Sequence, residues 1–259
     1  MTQFHLWHRR PRPCRAQNTW PRRPCHKIGK ELRHHLQVGD RTREHDSPLQ
    51  FCSGMVTIRK MPTELKGTKV FDLTEPPAAL AGIAARTKAL GFNVASEPLT
   101  GALLRTLAAS KPGGRLLELG TGTGVATAWI LAGMDAQSSL TSVDIDAEHQ
   151  AVAREFLGND SRLELVLEDG YQFLKRQPAE NYDFVFADAI PGKFERLEEC
   201  LRVVKPGGFY IIDDMLPLPK WPKAHVQRVS LLMNQLTDDT RLTIAKLAWA
   251  TGIVVAVKR

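Results

Sequence analysis

Three glycines alternate in Glu118-Leu119-Gly120-Thr121-Gly122-Thr123-Gly124, directly behind the apolar residues Leu116 and Leu117. Such a turn lets the main chain approach a ligand where any side chain would block it. Twenty residues after Gly124, the run Ser142-Val143-Asp144-Ile145-Asp146 puts Asp144 at the end of a second apolar stretch. A carboxylate there can take paired, charge-assisted hydrogen bonds from vicinal hydroxyls. Together the two segments describe a pocket for a ribose-bearing cofactor. Further on, Trp221 in Leu216-Pro217-Leu218-Pro219-Lys220-Trp221-Pro222 offers a ring that could stack on a planar substrate or pack on the sheet. His225, just beyond, is a candidate base or a structural histidine.

A glycine turn after a first strand serves NAD, ATP or S-adenosylmethionine. The dinucleotide fingerprint needs Gly or Ala three positions after its second glycine. Those positions here are Val125 or Thr127. The phosphate-cradling loop needs Gly-Lys-Ser/Thr, and no lysine occurs between Lys111 and Lys175. The pattern is instead acid-x-Gly-x-Gly-x-Gly.

On these residues the sequence resembles the class I S-adenosylmethionine-dependent methyltransferases, over residues 70–259. The resemblance implies a Rossmann-like α/β fold and S-adenosyl-L-methionine as methyl donor. Glu118, Gly120, Thr121, Gly122 and Gly124 would line its methionine part, with the helix start at Val125 favouring its carboxylate. Asp144 would meet the ribose, and Ile145 would also bind the cofactor. In Glu168-Asp169-Gly170-Tyr171, Asp169 would accept from the adenine amino group, with Gly170 or Tyr171 beside the ring.

The later segments Tyr182–Asp188 and Phe209–Asp214 resemble the catechol and caffeoyl-CoA type O-methyltransferases. That resemblance implies Asp188, Asp213 and Asp214 as ligands of a divalent cation such as Mg²⁺, which would lower a bound hydroxyl's pKa and hold it in line with the methyl group. Asp188 would also border the cofactor. Two departures stand out: Asp214 replaces the family's Asn, and Pro191 stands where the family has its lysine base. Lys193 lies two residues further, and only a bent loop would bring it back beside Asp188. The activity implied is O-methylation of a small hydroxylated, aromatic or non-aromatic, acceptor. A protein or nucleic-acid methyltransferase, or a non-catalytic cofactor-binding module, are the competing readings.

The elements that must position these residues follow from periodicity and punctuation. Residues 78–90 and a helix capped by Ser96 or Glu97 with Pro98 in its first turn precede strand 115–119. Helix 125–134, strand 140–144, helix 147–156, strand 163–167 and helix 170–176 follow. Then come strand 182–187, helix 194–203, strand 209–212, helix 224–236 and strands 242–248 and 253–258. Strict alternation predicts a mostly parallel, doubly wound sheet. The connection Thr251-Gly252 is too short for a parallel crossover, so the last two strands form an antiparallel hairpin.

Charge divides the chain. Residues 1–54 hold eleven Lys and Arg against four Asp and Glu, which accounts for the whole net charge of +7. Residues 55–259 are neutral, which argues against nucleic acid as partner of the folded part. Six of eight histidines and Cys14, Cys25 and Cys52 also precede Met55, leaving Cys200 alone in the domain. That usage suits a reducing compartment, the cytoplasm. We expect residues 1–54 to form a disordered basic extension, or a spurious one with Met55 as the true start, and residues 55–259 to form the methyltransferase domain. A transit peptide, a zinc site and a nucleic-acid arm are weaker readings of the extension. No apolar stretch approaches the roughly 18–20 residues of a membrane span, so a small-molecule acceptor and no membrane partner are expected. The oligomeric state stays open, a homodimer included.

Overall fold

The computed structural model describes residues 75–218 and 221–259; the expectations for residues 1–54 lie outside them. The glycine turn is anchored by β1 (Arg115–Leu119), of which every residue but the first is buried. A strand that is apolar on both faces needs a layer on each side, and the helices supply both. The sheet has seven strands in the order β3-β2-β1-β4-β5-β7-β6. These are β2 (Ser139–Asp144), β3 (Leu163–Leu167), β4 (Tyr182–Ala187), β5 (Val204–Ile212), β6 (Leu242–Leu247) and β7 (Ile253–Lys258). The first five run parallel, while β7 pairs antiparallel with β6, as the short connection required, and also with β5.

Alternation along the strands sorts the core into two layers. Leu116, Phe184, Phe186 and Ile211 point to one face. There they pack with Ile83 of α1 (Leu80–Ala89), Leu104 of α2 (Pro98–Ala109), Ile130 of α3 (Val125–Gly133) and Val152 of α4 (Ala147–Leu157). Leu117, Leu119, Val185, Tyr210 and Ile212 point the other way. They meet Phe173 of α5 (Gly170–Arg176), Leu201 of α6 (Leu197–Val203) and Leu232 of α7 (Lys223–Asp238). Strand order reverses between β1 and β4, and in an open α/β sheet the crevice outside the carboxyl ends of those strands is where ligands bind.

Two elements differ from expectation for a local reason. Helix α6 begins at Leu197 rather than 194, because the backbone of residues 190–195 folds into a tight loop first. Strand β5 begins at Val204 rather than 209: Lys205-Pro206-Gly207-Gly208 is an irregularity inside the strand, with a register shift against β4 between Tyr182 and Phe184. Among the described residues no helix is long and apolar enough to cross a membrane.

Candidate active site

The glycine turn takes a shape few other residues could. Gly120, Gly122 and Gly124 have φ of 100°, 51° and 91°. A Cβ on Gly120 would stand 2.8 Å from the carbonyl oxygen of Asp188, and one on Gly124 would stand 2.7 Å from Cβ of Ala153. The turn is thus wedged between β4 and α4, and its backbone faces a cavity of about 510 Å³. That volume is within the usual range for small-ligand sites. Asp144 holds the turn from below: its Oδ2 accepts from the Gly122 amide at 2.7 Å and its Oδ1 from the Asp146 amide at 2.8 Å. A carboxylate has about four acceptor positions, so two remain for ligand hydroxyls. Asp169 works similarly, capping α5 by accepting from the Tyr171 amide at 2.7 Å.

Gly120, Thr121, Gly122, Asp144, Ile145, Asp169, Gly170, Asp188, Lys193 and Asp214 all line this one cavity. Ile145 stands at its rim, 72% exposed. Gly124 and Asp213 sit behind the wall, and so does Glu118, which was expected to line the cofactor site. Glu118 is fully buried because its place on β1 turns it toward α3. Its Oε2 accepts from Thr127 Oγ1 and Ser142 Oγ, both at 2.5 Å, while among the described residues Oε1 has no partner. Burial raises its pKa to about 7 against the lowering effect of those hydroxyls, and the charge of Asp144 adds to the rise. Thr121, in the cavity wall, bonds Ser142 at 2.7 Å. A chain of hydroxyls therefore links the wall to the buried acid.

At the other end of the cavity the loop after β4 doubles back. Lys193, Phe194 and Glu195 amides all donate to the Ile190 carbonyl, and Gly192 donates to Glu195. Gly192 has φ of 85°, and a Cβ there would stand 2.4 Å from Leu119 Cδ1. Tyr210 Oη donates to the Gly192 carbonyl and fixes the bend. The bend brings Lys193, only 3% exposed, between two acids: Nζ is 3.9 Å from Asp188 Oδ1 and 3.9 Å from Asp214 Oδ2. Asp188 also accepts from Ser96 Oγ at 3.3 Å. Burial pushes its pKa well above the ordinary range despite Lys193, helped by the charges of Asp213 and Asp214. Asp213 is raised as well, mainly by burial, with the Asp214 amide and Thr251 hydroxyl opposing.

A divalent ion held by Asp188, Asp213 and Asp214 does not fit this arrangement. Among the described residues no three His, Cys, Asp or Glu side chains are placed to hold a metal. Asp213 Oδ1 is taken by Thr251 Oγ1 and the Asp214 amide, each at 2.8 Å. The space between the other two acids is approached by an ammonium group, which repels a cation. The expected ligand triad is thus brought to one end of the site but not together.

A family model described as a methyltransferase domain matches residues 117–215. A provisionally named O-methyltransferase of Mycobacterium ulcerans is 32% identical over 185 residues, covering 67% of this chain and 83% of that one. The chain belongs to the S-adenosylmethionine-dependent O-methyltransferases. Among solved structures, a provisionally named O-methyltransferase from Klebsiella pneumoniae is 28% identical with a TM-score of 0.59, covering 72% and 92% of the two chains. The Streptomyces achromogenes O-methyltransferase TomG, solved with S-adenosylmethionine and involved in tomaymycin synthesis, shares the fold: TM-score 0.63, 22% identity, coverage 72% and 92%.

This O-methyltransferase also carries site residues that sequence reasoning missed. Of the two expected caps, Ser96 or Glu97, it is Glu97 that holds the position, and Ser96 reaches Asp188 instead. Phe92 and Val94 close the cavity from the segment before α2. Thr251, read as a hairpin connection, holds Asp213. None of these has a local signal, because each acts across the fold. Trp221, expected either to stack on a planar substrate or to pack on the sheet, stacks on a neighbouring side chain. Its ring stacks on His225 at 4.2 Å and 11°, and Phe194 meets His225 edge-on at 5.4 Å. All three line the cavity. His225 Nε2 lies 3.2 Å from the Asp214 carbonyl oxygen. A carbonyl only accepts, so that bond needs Nε2 protonated, which takes this nitrogen away from any role as base.

Proposed function

We propose that this O-methyltransferase methylates a hydroxyl of a small acceptor, and that a planar aromatic ring suits its acceptor end. The observation that carries the reading is one continuous cavity lined by the glycine turn and Asp144 at one end and by Asp188, Lys193 and the Phe194–His225–Trp221 rings at the other. When bound, S-adenosylmethionine supplies a methyl group on a sulfonium, and the C–S electron pair stays on sulfur as the methyl passes to oxygen. The backbone of residues 120–123 would receive its methionine part, Asp144 its ribose hydroxyls, and Asp169 and Gly170 its adenine. These fit the group because the glycine turn offers close main-chain approach and Asp144 keeps free acceptor positions.

At the transfer end, Asp188 is the acid placed to accept the hydroxyl proton. Its raised proton affinity brings it nearer to that task, since a base works best with a pKa near the working pH. Lys193 would hold the oxygen as its negative charge develops. The stacked rings would orient a flat acceptor and exclude water.

Calorimetry with S-adenosylmethionine tests the cofactor end: we expect saturable binding, and no binding at high micromolar concentration would refute the reading. Asp144→Ala should weaken that binding by about 10- to 100-fold, as expected for charge-assisted bonds of about 1.5–3 kcal/mol. An unchanged affinity would remove Asp144 from the ribose. A panel of hydroxylated aromatic compounds with labelled methyl donor then tests the acceptor class, and transfer only to non-aromatic hydroxyls would overturn the aromatic assignment.

A further inference from the structure

We propose that the Lys193 ammonium is the resident cation of the transfer site and that methyl transfer by this enzyme needs no divalent metal ion. The inference rests on the functional reading above and deepens it. Three acids gather where β4 and β5 end, and a gathered set of acids calls for a positive partner. The fold supplies one from its own chain. Lys193 is buried, stands equally far from Asp188 and Asp214 at 3.9 Å, and has its Nζ 5.1 Å from the centre of the Phe194 ring.

The lysine is not an adaptable surface side chain that has folded inward. It sits next to Gly192, whose φ of 85° and contact with Leu119 admit no side chain. The same loop is tied by Tyr210 Oη, by the Gly192–Glu195 bond and by three amides on one carbonyl. Asp214 itself is held at φ 58°, a conformation uncommon outside glycine, with its carbonyl 3.2 Å from His225 Nε2. Such a position persists only when its surroundings fix it. Asp213, which a metal site would need, already accepts through Oδ1 from Thr251 and the Asp214 amide. The charge, the loop and the acids thus form one set that already carries its own cation.

The reaction balances without a metal. The new O–C bond forms as the C–S bond breaks with its electrons left on sulfur, the hydroxyl proton passes to Asp188, and Lys193 remains an ammonium throughout.

The test uses the full chain, stripped with EDTA and titrated with Mn²⁺, followed by the manganese paramagnetic signal and by calorimetry. The wild type should show no saturable binding below about 1 mM, since an ammonium in the gap repels the ion. Lys193→Met, similar in length but uncharged, should bind Mn²⁺ at least about tenfold more tightly, and Lys193→Arg should not. Saturable micromolar binding to the wild type that disappears in Asp188→Asn would overturn the proposal. Should Lys193→Met fail to fold by circular dichroism, the wild-type titration decides alone. S-adenosylhomocysteine binding to the stripped protein is measured in parallel: its failure would strike the cofactor reading and leave the cation assignment to the manganese result.

Discussion

The two ends of the cavity are built from different materials. The cofactor end is main chain: Gly120, Gly122 and Gly124 shape it, and Asp144 and Asp169 hold it by accepting backbone amides. The transfer end is side chain: Asp188, Asp214, Lys193 and three rings, brought in from β4, β5 and α7. Backbone recognition depends on a local sequence of glycines, whereas an arrangement of charges depends on how distant segments pack. The first end is therefore tolerant of what surrounds it and intolerant of side chains within it. The second is the reverse, and it is where one enzyme of this fold can differ from another.

Four substitutions would break or sharpen that contrast. The largest effect is expected at the seam, where Gly120→Ala would add a Cβ 2.8 Å from the Asp188 carbonyl at a φ of 100°. Strain of about 1–3 kcal/mol from the backbone and a similar cost from the clash should lower stability in urea denaturation and abolish S-adenosylhomocysteine binding together. Retained binding in a stable Gly120→Ala protein would mean the turn is not the rigid wall described.

Lys193→Ala should act on the transfer end alone. Loss of one charge stabiliser there typically costs about 10²–10³ in turnover, with S-adenosylhomocysteine affinity changed less than about threefold. A matching loss of cofactor affinity would show that the two ends are not separable.

Glu118 tests the layer beneath the cofactor end. Its pKa in the folded protein is raised to about 7, above the 4.5 of an ordinary glutamate, so the folded state binds the extra proton between those values. Its contribution to stability is thus greatest below pH 4.5 and is lost as pH rises through 7, by about 3 kcal/mol in all. Glu118→Gln cannot ionise. Its stability relative to wild type should rise from pH 4.5 to pH 8 in parallel urea melts, and a constant difference would remove the titration from Glu118. The comparison with the variant is needed because burial raises Asp188 and Asp213 as well.

The smallest effect is expected for Ser96→Ala, which removes the 3.3 Å hydroxyl contact to Asp188. A bond of that length to a charged group should be worth about 1 kcal/mol, and turnover should fall severalfold with cofactor affinity intact.

Legibility followed the same division. Strands β1 to β4, the helices between them and the terminal hairpin were readable because each repeats a local period bounded by glycine, proline or an acid. The helix starting at Leu197 and the strand starting at Val204 were misplaced where a loop tied by Ile190 and an irregularity at Gly207-Gly208 interrupt those periods. Of the cofactor end, only Glu118 and Gly124 were assigned to the wall and found behind it: Glu118 because side-chain direction on a buried strand depends on which layer the residue faces, Gly124 because the chain has already turned into the start of α3 there. The metal triad was inferred from a resemblance in which residue types match, and types alone do not say that Thr251 and Lys193 have already engaged the acids.

The sequence by itself determined the glycine turn, the acid twenty residues on, the alternation of strand and helix, and hence the family and its methyl donor. These are written in neighbouring residues, and local backbone chemistry is sufficient to enforce them. Only the tertiary structure decided that Glu118 is a buried acid behind the cavity wall, and that Ser96 reaches Asp188 while Glu97 caps the helix. It also decided that the bend at Gly192 returns Lys193 to the gap between Asp188 and Asp214. Those outcomes depend on contacts between segments far apart in the chain, where the electrostatic energy is set by distances of a few ångströms that no spacing of residues records.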